Sequence, residues 1–396
     1  MVADFITCFG PDKNDARLYY GNAATQLPTG VSFPTTTADG AGPPQGDRWL
    51  KVTDAATGRD ITTPRTITAK TYGWLVQRGA RVRGTLGAGE SSQYLRVRVA
   101  NDTLFVIIWV RVSDSTFNWR LAHGTGTPTV LATGSTAYNT DTTYSLRLQL
   151  DGTSATLWVD GVQEVKGAYT NRLDKSGIDV RVPPSTGQEH YYSRLLLCQS
   201  DTETDRPDTD VEIGTLVEDG DWATEQDYGD DADCASTDAV AADVALDGSD
   251  AVDTSIYWCE EGGAAGNQMV ELTTFTFTIG KDILGLTERA TARANVSSKT
   301  VAVEGRIHDG TDVREESFAN LPGTTFIYTV ANHLLAPDGG SWTQSDVDGL
   351  KGGVSSNSSN GANDEWAAII FEACAVSNDP PPAAGVDRRR LMGQVV

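Results

Sequence analysis

The side chains able to do chemistry are scattered acids, four histidines and five cysteines, and their spacing decides what they can do together. A retaining glycoside hydrolase needs two carboxyl groups about 5–5.5 Å apart, which acids two positions apart on one strand would supply. Glu164 has no second acid at that spacing, and Glu304 stands alone in VAVEGRI. Asp210 and Glu212 are two apart in DVEIG, but they sit at a domain start, where a structural role is expected. His123, His190, His308 and His333 show no H-x-H or H-x₃-H spacing for a metal. His123 lies in a Gly/Thr loop and His190 just before a strand, so both read as structural or solvated. There is no G-x-S-x-G elbow to raise a serine nucleophile, and no Gly-rich loop leading into a helix to cradle phosphate. Asp227, Asp230, Asp231 and Asp233 offer the oxygen ligands calcium takes, yet DYGDDAD fails the D-x-[DN]-x-[DN]-G pattern and reads as a solvated acidic loop. The expectation is a chain that is not an enzyme, with no catalytic, cofactor-binding or metal residues.

The cysteines, Cys8, Cys198, Cys234, Cys259 and Cys374, form no CxxC pair, and an odd number cannot all be bridged internally. Cys234 and Cys259 are near enough in sequence to pair, but buried free thiols are expected of a chain folded in a cytosol. The N-terminus lacks the basic and apolar regions of a secretory signal. No stretch approaches the roughly 20 apolar residues that span a bilayer.

Charge excludes further classes. The net charge is −23, and residues 201–260 hold 20 Asp and Glu against the single Arg206, about −19 in that segment alone. Nucleic acid and anionic membrane are therefore not expected partners, since both need Lys and Arg to neutralise phosphate. The acidic stretch reads as a solvated, self-repelling surface that keeps the protein soluble.

The elements that must carry these residues are strands. A chain of 396 residues is too long for one ordinary core, and its use of Thr, Val, Gly and Asp favours strands and turns. Gln93–Ala100 alternates, with Leu95, Val97 and Val99 on one face and Arg96 and Arg98 on the other. Thr103–Val112 is nearly continuous apolar, as a central sandwich strand is. Tyr144–Val165, YSLRLQLDGTSATLWVDGVQEV, holds two turns at Asp151-Gly152 and Asp160-Gly161 between alternating runs, a meander signal. Thr66–Gln77 and Tyr191–Cys198 read as further strands, and residues 1–60 as loop-rich. After a polar boundary at Asp201–Asp210, strands are expected at Asp253–Cys259, Thr273–Ile279, Thr300–Ile307, Thr324–Val330 and Trp366–Val376, with a short turn of helix at Ser345–Leu350. The fold class expected is all-β: two antiparallel β-sandwich domains of jelly-roll type, 1–205 and 206–378, then a Pro/Arg tail, 379–396. Arg388, Arg389 and Arg390 in that tail are either solvated or an arm for an acidic neighbour.

The stretch Ile61–Cys198, centred on YSLRLQLDGTSATLWVDGVQEV, resembles concanavalin-A-like or laminin-G jelly rolls, and in particular those of tailed-bacteriophage structural proteins. Thr324–Val354 is similar to a β-sandwich module of phage virion proteins, through Trp342, Thr343, Asp346, Val347, Gly349, Leu350, Gly353 and Val354. Here Trp342 and Leu350 would pack on the sheet, while Gly349 and Gly353 would permit tight turns. The resemblance implies a virion component, an accessory or appendage protein of tail, connector or capsid surface, located on the particle. Its expected partners are other virion proteins, further copies of itself as a homo-oligomer, and a host-surface glycan. The rivals are a non-viral lectin-like adhesin and a polysaccharide depolymerase. Trp119, Tyr138, Trp158 and Tyr192 are the aromatics a sugar site would use, although aromatics in strands are more often core, Trp158 above all.

Overall fold

A computed structural model describes residues 3–376 apart from 11–29, 45–47, 54–58, 62–64, 182–186, 227–257, 260–265, 357–363 and scattered single or paired loop residues. The acidic loop Asp227–Asp233, Cys234 and the tail 379–396 lie outside the described residues.

Strands pair antiparallel throughout, in four sheets. In the first sandwich a nine-stranded sheet is built on the long strand Tyr72–Arg83. One edge of that strand pairs with Tyr144–Leu150, which continues into the meander Ser154–Val159 and Val162–Ala168. Its other edge takes Leu195–Ser200 along one half and Glu189–Tyr192 along the other. The opposed seven-stranded sheet has Ser91–Val99, Thr103–Ser113 and Thr116–His123 at its centre. Between the two sheets lie Leu75, Leu95, Ile107, Trp119, Leu148 and Leu157, all buried. This is the alternation the sequence carries, one face of each strand pointing into the sandwich.

The meander turns form as their residues require. Asp160 and Gly161 both have positive φ, 48° and 77°, the left-handed pair of a type I′ hairpin. At the earlier turn only Gly152 is left-handed (φ 77°). There Asp151 does different work: its carboxylate accepts from the amides of Thr153 and Ser154 and from both hydroxyls.

The second sandwich stacks two five-stranded sheets. The inner one centres on Asp282–Ala294 and Asp364–Val376, flanked by Glu212–Leu216 and Ile327–His333. The outer one runs Glu218–Gln226, Gly266–Leu272, Lys351–Ser356, Val303–His308 and Val313–Ser317. A short helix, Gln344–Asp348, is capped by Thr343, whose side chain accepts from the Asp346 amide while the Asp346 carboxylate accepts from Thr343 N–H. Trp342, Val347 and Leu350 pack into the core between the sheets.

Several expectations are corrected. Residues 1–60 are not merely loop: Asp4–Phe9 is a buried strand on the edge of the nine-stranded sheet, paired to Leu195–Ser200. Tyr191–Cys198 is two strands, interrupted at Ser193–Arg194 where the first ends its pairing and the second begins. The strand expected at Thr66 starts at Tyr72. Thr273–Thr278 alternates but joins no sheet among the described residues; Phe275 and Phe277 face the core while backbone amides are met by side chains, Phe277 N–H by Gln344 and Thr278 N–H by Glu212. Of Asp253–Cys259 the described part is Trp258–Cys259, a strand paired to Asp364–Val376. Gly353 is mid-strand rather than in a turn: a Cβ there would sit 1.9 Å from the Gln268 carbonyl oxygen. That neighbour is backbone and cannot swing away. Gly353→Ala is expected to lower stability by about 1–3 kcal/mol or more, read as a shift in urea midpoint at unchanged slope.

The two sandwiches share a buried seam. The outer face of the nine-stranded sheet packs on the inner sheet of the second sandwich through Phe5, Trp74, Cys198, Ile213, Cys374 and Val376. Arg289 and Glu372, neither exposed, pair at 2.6 Å within it.

Candidate functional site

The sequence-nominated chemical residues are placed apart and occupied structurally. Glu164 ties down the loop beside its strand, accepting from Thr136 N–H at 3.0 Å and from the Tyr138 hydroxyl at 3.0 Å. Burial, reinforced by that carboxylate, raises the Tyr138 pKa. Glu304 lies on the outer sheet near Glu315 and Arg306; burial, then Glu315, raises its pKa. Asp210 and Glu212 hold the seam's rim, both reaching Lys281, with Arg78 2.7 Å from Asp210.

Each histidine has a structural post. His123 lies against Tyr169, and His308 accepts from Gly310 N–H. His190 is enclosed by Trp109 and the Arg181 carbonyl. His333 is buried 2.9 Å from Glu288. Burial pushes Glu288 well up and His333 down to about 3, so each is driven toward its neutral form. Glu288 Oε1 and His333 Nδ1 find no hydrogen-bond partner among the described residues.

Cys8, Cys198 and Cys374 are free, buried thiols in the seam. Burial raises Cys198 and Cys374, which keeps them from the reactive thiolate form. Among the described residues no group of three or more His, Cys, Asp or Glu is placed to hold a metal ion.

The aromatics nominated for sugar are core. Trp119 and Tyr192 are fully buried, and Tyr138 is half-buried against Phe117 and Tyr144. Trp158 is on the outer face of the nine-stranded sheet but covered, with the guanidinium carbons of Arg147 and Arg206 at 4.9 and 5.7 Å from its ring centre. Arg147 also donates to the Pro207 carbonyl, fastening the inter-domain segment down.

With that face consumed by the seam, the other broad face of the first sandwich is the outer face of the seven-stranded sheet, which is buried along Val106, Ile108 and Ala122 and accessible at its Val112 end. Down its central strand run Val106, Ile108, Val110 and Val112, pointing away from the core residues Phe105, Ile107 and Trp109. Val106, Ile108 and Ala122 form a small apolar cluster of their own. The lane then opens outward to Val112, which is 56% exposed.

Arginines frame this lane through the strand register. Arg96 is directly opposite Val106 on one side, and Arg120 is opposite Ile108 on the other. Antiparallel partners share a face, so these side chains must border the apolar strip. Arg96 is held by Gln93 and lies 3.8 Å from Asp179. Arg120 donates through Nε to Thr133 Oγ1 at 2.9 Å, and its two Nη groups have no hydrogen-bond partner among the described residues. Asn118 flanks the lane opposite Val110 and donates to the Gly134 carbonyl.

The sequence showed Arg96 and Arg98 alternating with core residues, which is the one legible signal for this face. It did not show that the continuous apolar strand beside them is buried on its outer side at Val106 and Ile108 and exposed at Val112. The outer face of the second sandwich differs: Glu304, Arg306 and His308 lie beside Lys351 and Glu315, a mixed-charge, solvated surface.

No protein-family model matches the sequence, and no curated protein is similar to it. Part of the chain is similar to several solved structures. One is domain 4 of an extracellular arabinanase from Geobacillus stearothermophilus, in complex with arabinotriose (14% identity, TM-score 0.33, 50% of this chain and 94% of that one). Others are a carbohydrate-binding module from Bacillus subtilis (9%, 0.25, 46% and 96%) and a galectin from Caenorhabditis elegans (10%, 0.22, 34% and 89%). At such scores the likeness says nothing of what this chain binds.

Proposed function

We propose that this chain is a non-catalytic, lectin-like binding protein that engages glycan through the open face of its first sandwich. The observation that carries the reading is the division of labour between the two sheet faces. One is buried in the seam, and the other is closed along Val106 and Ile108 but presents an apolar edge at Val110 and Val112, with Asn118 and Arg120 on the neighbouring strand. An apolar strip with a few convergent hydrogen-bonding groups is the composition of a ligand surface. The seam makes the second sandwich a mount, holding the binding face at a fixed angle.

Single-site affinity on so shallow a face is expected to be weak, and repetition of the chain in a symmetric assembly would supply avidity. The setting we propose is a tailed-phage particle, as an accessory or appendage protein. It is supported by the resemblance of Ile61–Cys198 and Thr324–Val354 to phage structural modules, and gold-labelled electron microscopy of particles tests it.

The binding reading predicts that immobilised host polysaccharide retains the protein without being shortened. Val112→Glu, at an exposed position, should abolish retention while leaving the fold intact by circular dichroism. Chain shortening by the purified protein would instead establish an enzyme.

A further inference from the structure

We infer that the seam contains an oxidation site, where Cys8 and Cys374 exchange with a small-molecule disulfide and bond to each other across the two sandwiches. The inference is independent of the glycan reading and concerns the opposite face of the first sandwich.

Three strands each bring a free thiol into the seam: Cys8 on Asp4–Phe9, Cys198 on Leu195–Ser200 and Cys374 on Asp364–Val376. The first two belong to the first sandwich and the third to the second. The Cys8 and Cys374 thiols are in hydrogen-bonding contact. Cys8 Sγ also lies 3.3 Å from the carbonyl oxygen of Glu372, two positions before Cys374 on the same strand.

The strands cross closely at this point. A disulfide needs Cα atoms about 4.4–6.8 Å apart, whereas sheets packed face to face ordinarily stand about 10 Å apart. Here Cys8 N–H donates to Thr287 Oγ1 at 3.2 Å, so a short side chain of the second sandwich reaches the main chain of the first. Gly285, the ladder partner of Cys374, leaves room for Phe5; a Cβ there would sit 2.6 Å from the Phe5 ring. Cys198 is the poorer partner for Cys8. It stands opposite Phe5 in the ladder while Cys8 stands opposite Leu196, and such diagonal neighbours are about 7–8 Å apart.

Burial decides when the bond forms. The three thiols are fully buried, and burial holds Cys374 well above the ordinary thiol range, so the closed seam is inert. When the seam opens, the thiolate of one cysteine attacks a small disulfide, forming a mixed disulfide and releasing one small thiol. The thiolate of the other then attacks the protein sulfur of that mixed disulfide, forming the Cys8–Cys374 bond and releasing the second small thiol. Two protein thiols are oxidised, one small disulfide is reduced to two thiols, and the two protons pass to those thiols. A mixed disulfide would keep its adduct in a packed seam, so the internal bond is the product that lets the seam close again.

Incubating the full chain with glutathione disulfide, alkylating it in denaturant and mapping its unreduced peptides tests the inference. The expected product is a Cys8–Cys374 peptide, slow to form in the wild type and about tenfold faster in Glu372→Gln, whose seam opens more often. Wild type held in urea just below its unfolding transition gives the same readout should the variant not fold. The bond should also form in Cys198→Ala. The cross-linked chain should melt about 5 °C higher than the reduced one, a gain that dithiothreitol erases.

Cys8 and Cys374 left free after oxidation in urea would overturn the inference. So would a bond from Cys374 to Cys198, glutathione retained on either thiol, or a cross-linked chain that melts below the reduced one.

Discussion

Glu372→Gln is expected to destabilise the protein by about 3–5 kcal/mol, the usual cost of breaking a buried ion pair from one side. Both partners are fully buried in the seam, with Arg289 Nε 2.6 Å from the carboxylate. Neither serves the other alone. Glu372 also accepts from Gly10 N–H at 2.7 Å, while Arg289 donates to the Cys8 and Ile61 carbonyls. One pair thus holds the N-terminal strand of the first sandwich to the inner sheet of the second.

The two halves of the pair are not equivalent. Burial pushes the Glu372 carboxyl above its ordinary value against the opposing pull of Arg289, so a carboxyl orphaned by Arg289→Met can take up a proton. A guanidinium orphaned by Glu372→Gln cannot lose one. Arg289→Met should therefore cost less than Glu372→Gln in urea denaturation at pH 7. Equal costs, or losses below about 0.5 kcal/mol for the glutamine variant, within the range of an ordinary surface change, would show that the seam does not depend on the pair. Because the pair joins both sandwiches, the wild type should unfold in one transition and the glutamine variant should tend to separate into two.

The second large effect is acid sensitivity from His190. Trp109 Nε1–H donates to His190 Nε2 at 3.0 Å, and His190 Nδ1 lies 3.0 Å from the Arg181 carbonyl, which fixes the neutral tautomer with its proton on Nδ1. Protonating Nε2 would bring two N–H groups face to face in a site without water access. Burial accordingly pushes His190 down to about 4. Unfolded histidine binds its proton below about 6.5, so between that pH and about 4 the unfolded state carries the extra proton and stability falls as pH is lowered. At 1.36 kcal/mol per pH unit the loss is roughly 3 kcal/mol.

His190→Gln, which can still accept from Trp109, should remove one proton's worth of slope from a plot of stability against pH in that window. An unchanged slope would mean that His190 titrates normally. His333, also buried and held down to about 3, contributes its own slope in this window, so the His190 share is read as the difference between the wild type and His190→Gln.

Much of the first sandwich was readable because its signals are local. The alternation of Leu95, Val97 and Val99, and the Asp-Gly pairs at 151–152 and 160–161, follow from side-chain direction in a pleat and from the φ that glycine tolerates. Where the reading failed, the deciding contact was distant. Thr273–Thr278 alternates like a strand, but alternation reports which side faces a core, not whether a ladder partner exists. Asp282–Ala294 carries Glu288 and Arg289 and so does not look like a core strand. It becomes one because Glu372, 83 positions beyond Arg289, supplies the opposite charge.

The candidate site shows the same division. Composition and spacing established an all-β chain without an evident catalytic constellation, and they placed Arg96 and Arg98 together on one face of a strand. They could not say whether that face is covered, since Thr103–Ser113 reads identically with a layer on both sides or on one. Packing of the second sandwich decided it. By closing over Trp74 and Cys198 on one sheet, it left Val112 and Arg120 on the other facing outward. Which face of a sheet stays free is a property of where the next domain docks, and no local pattern of residues encodes that.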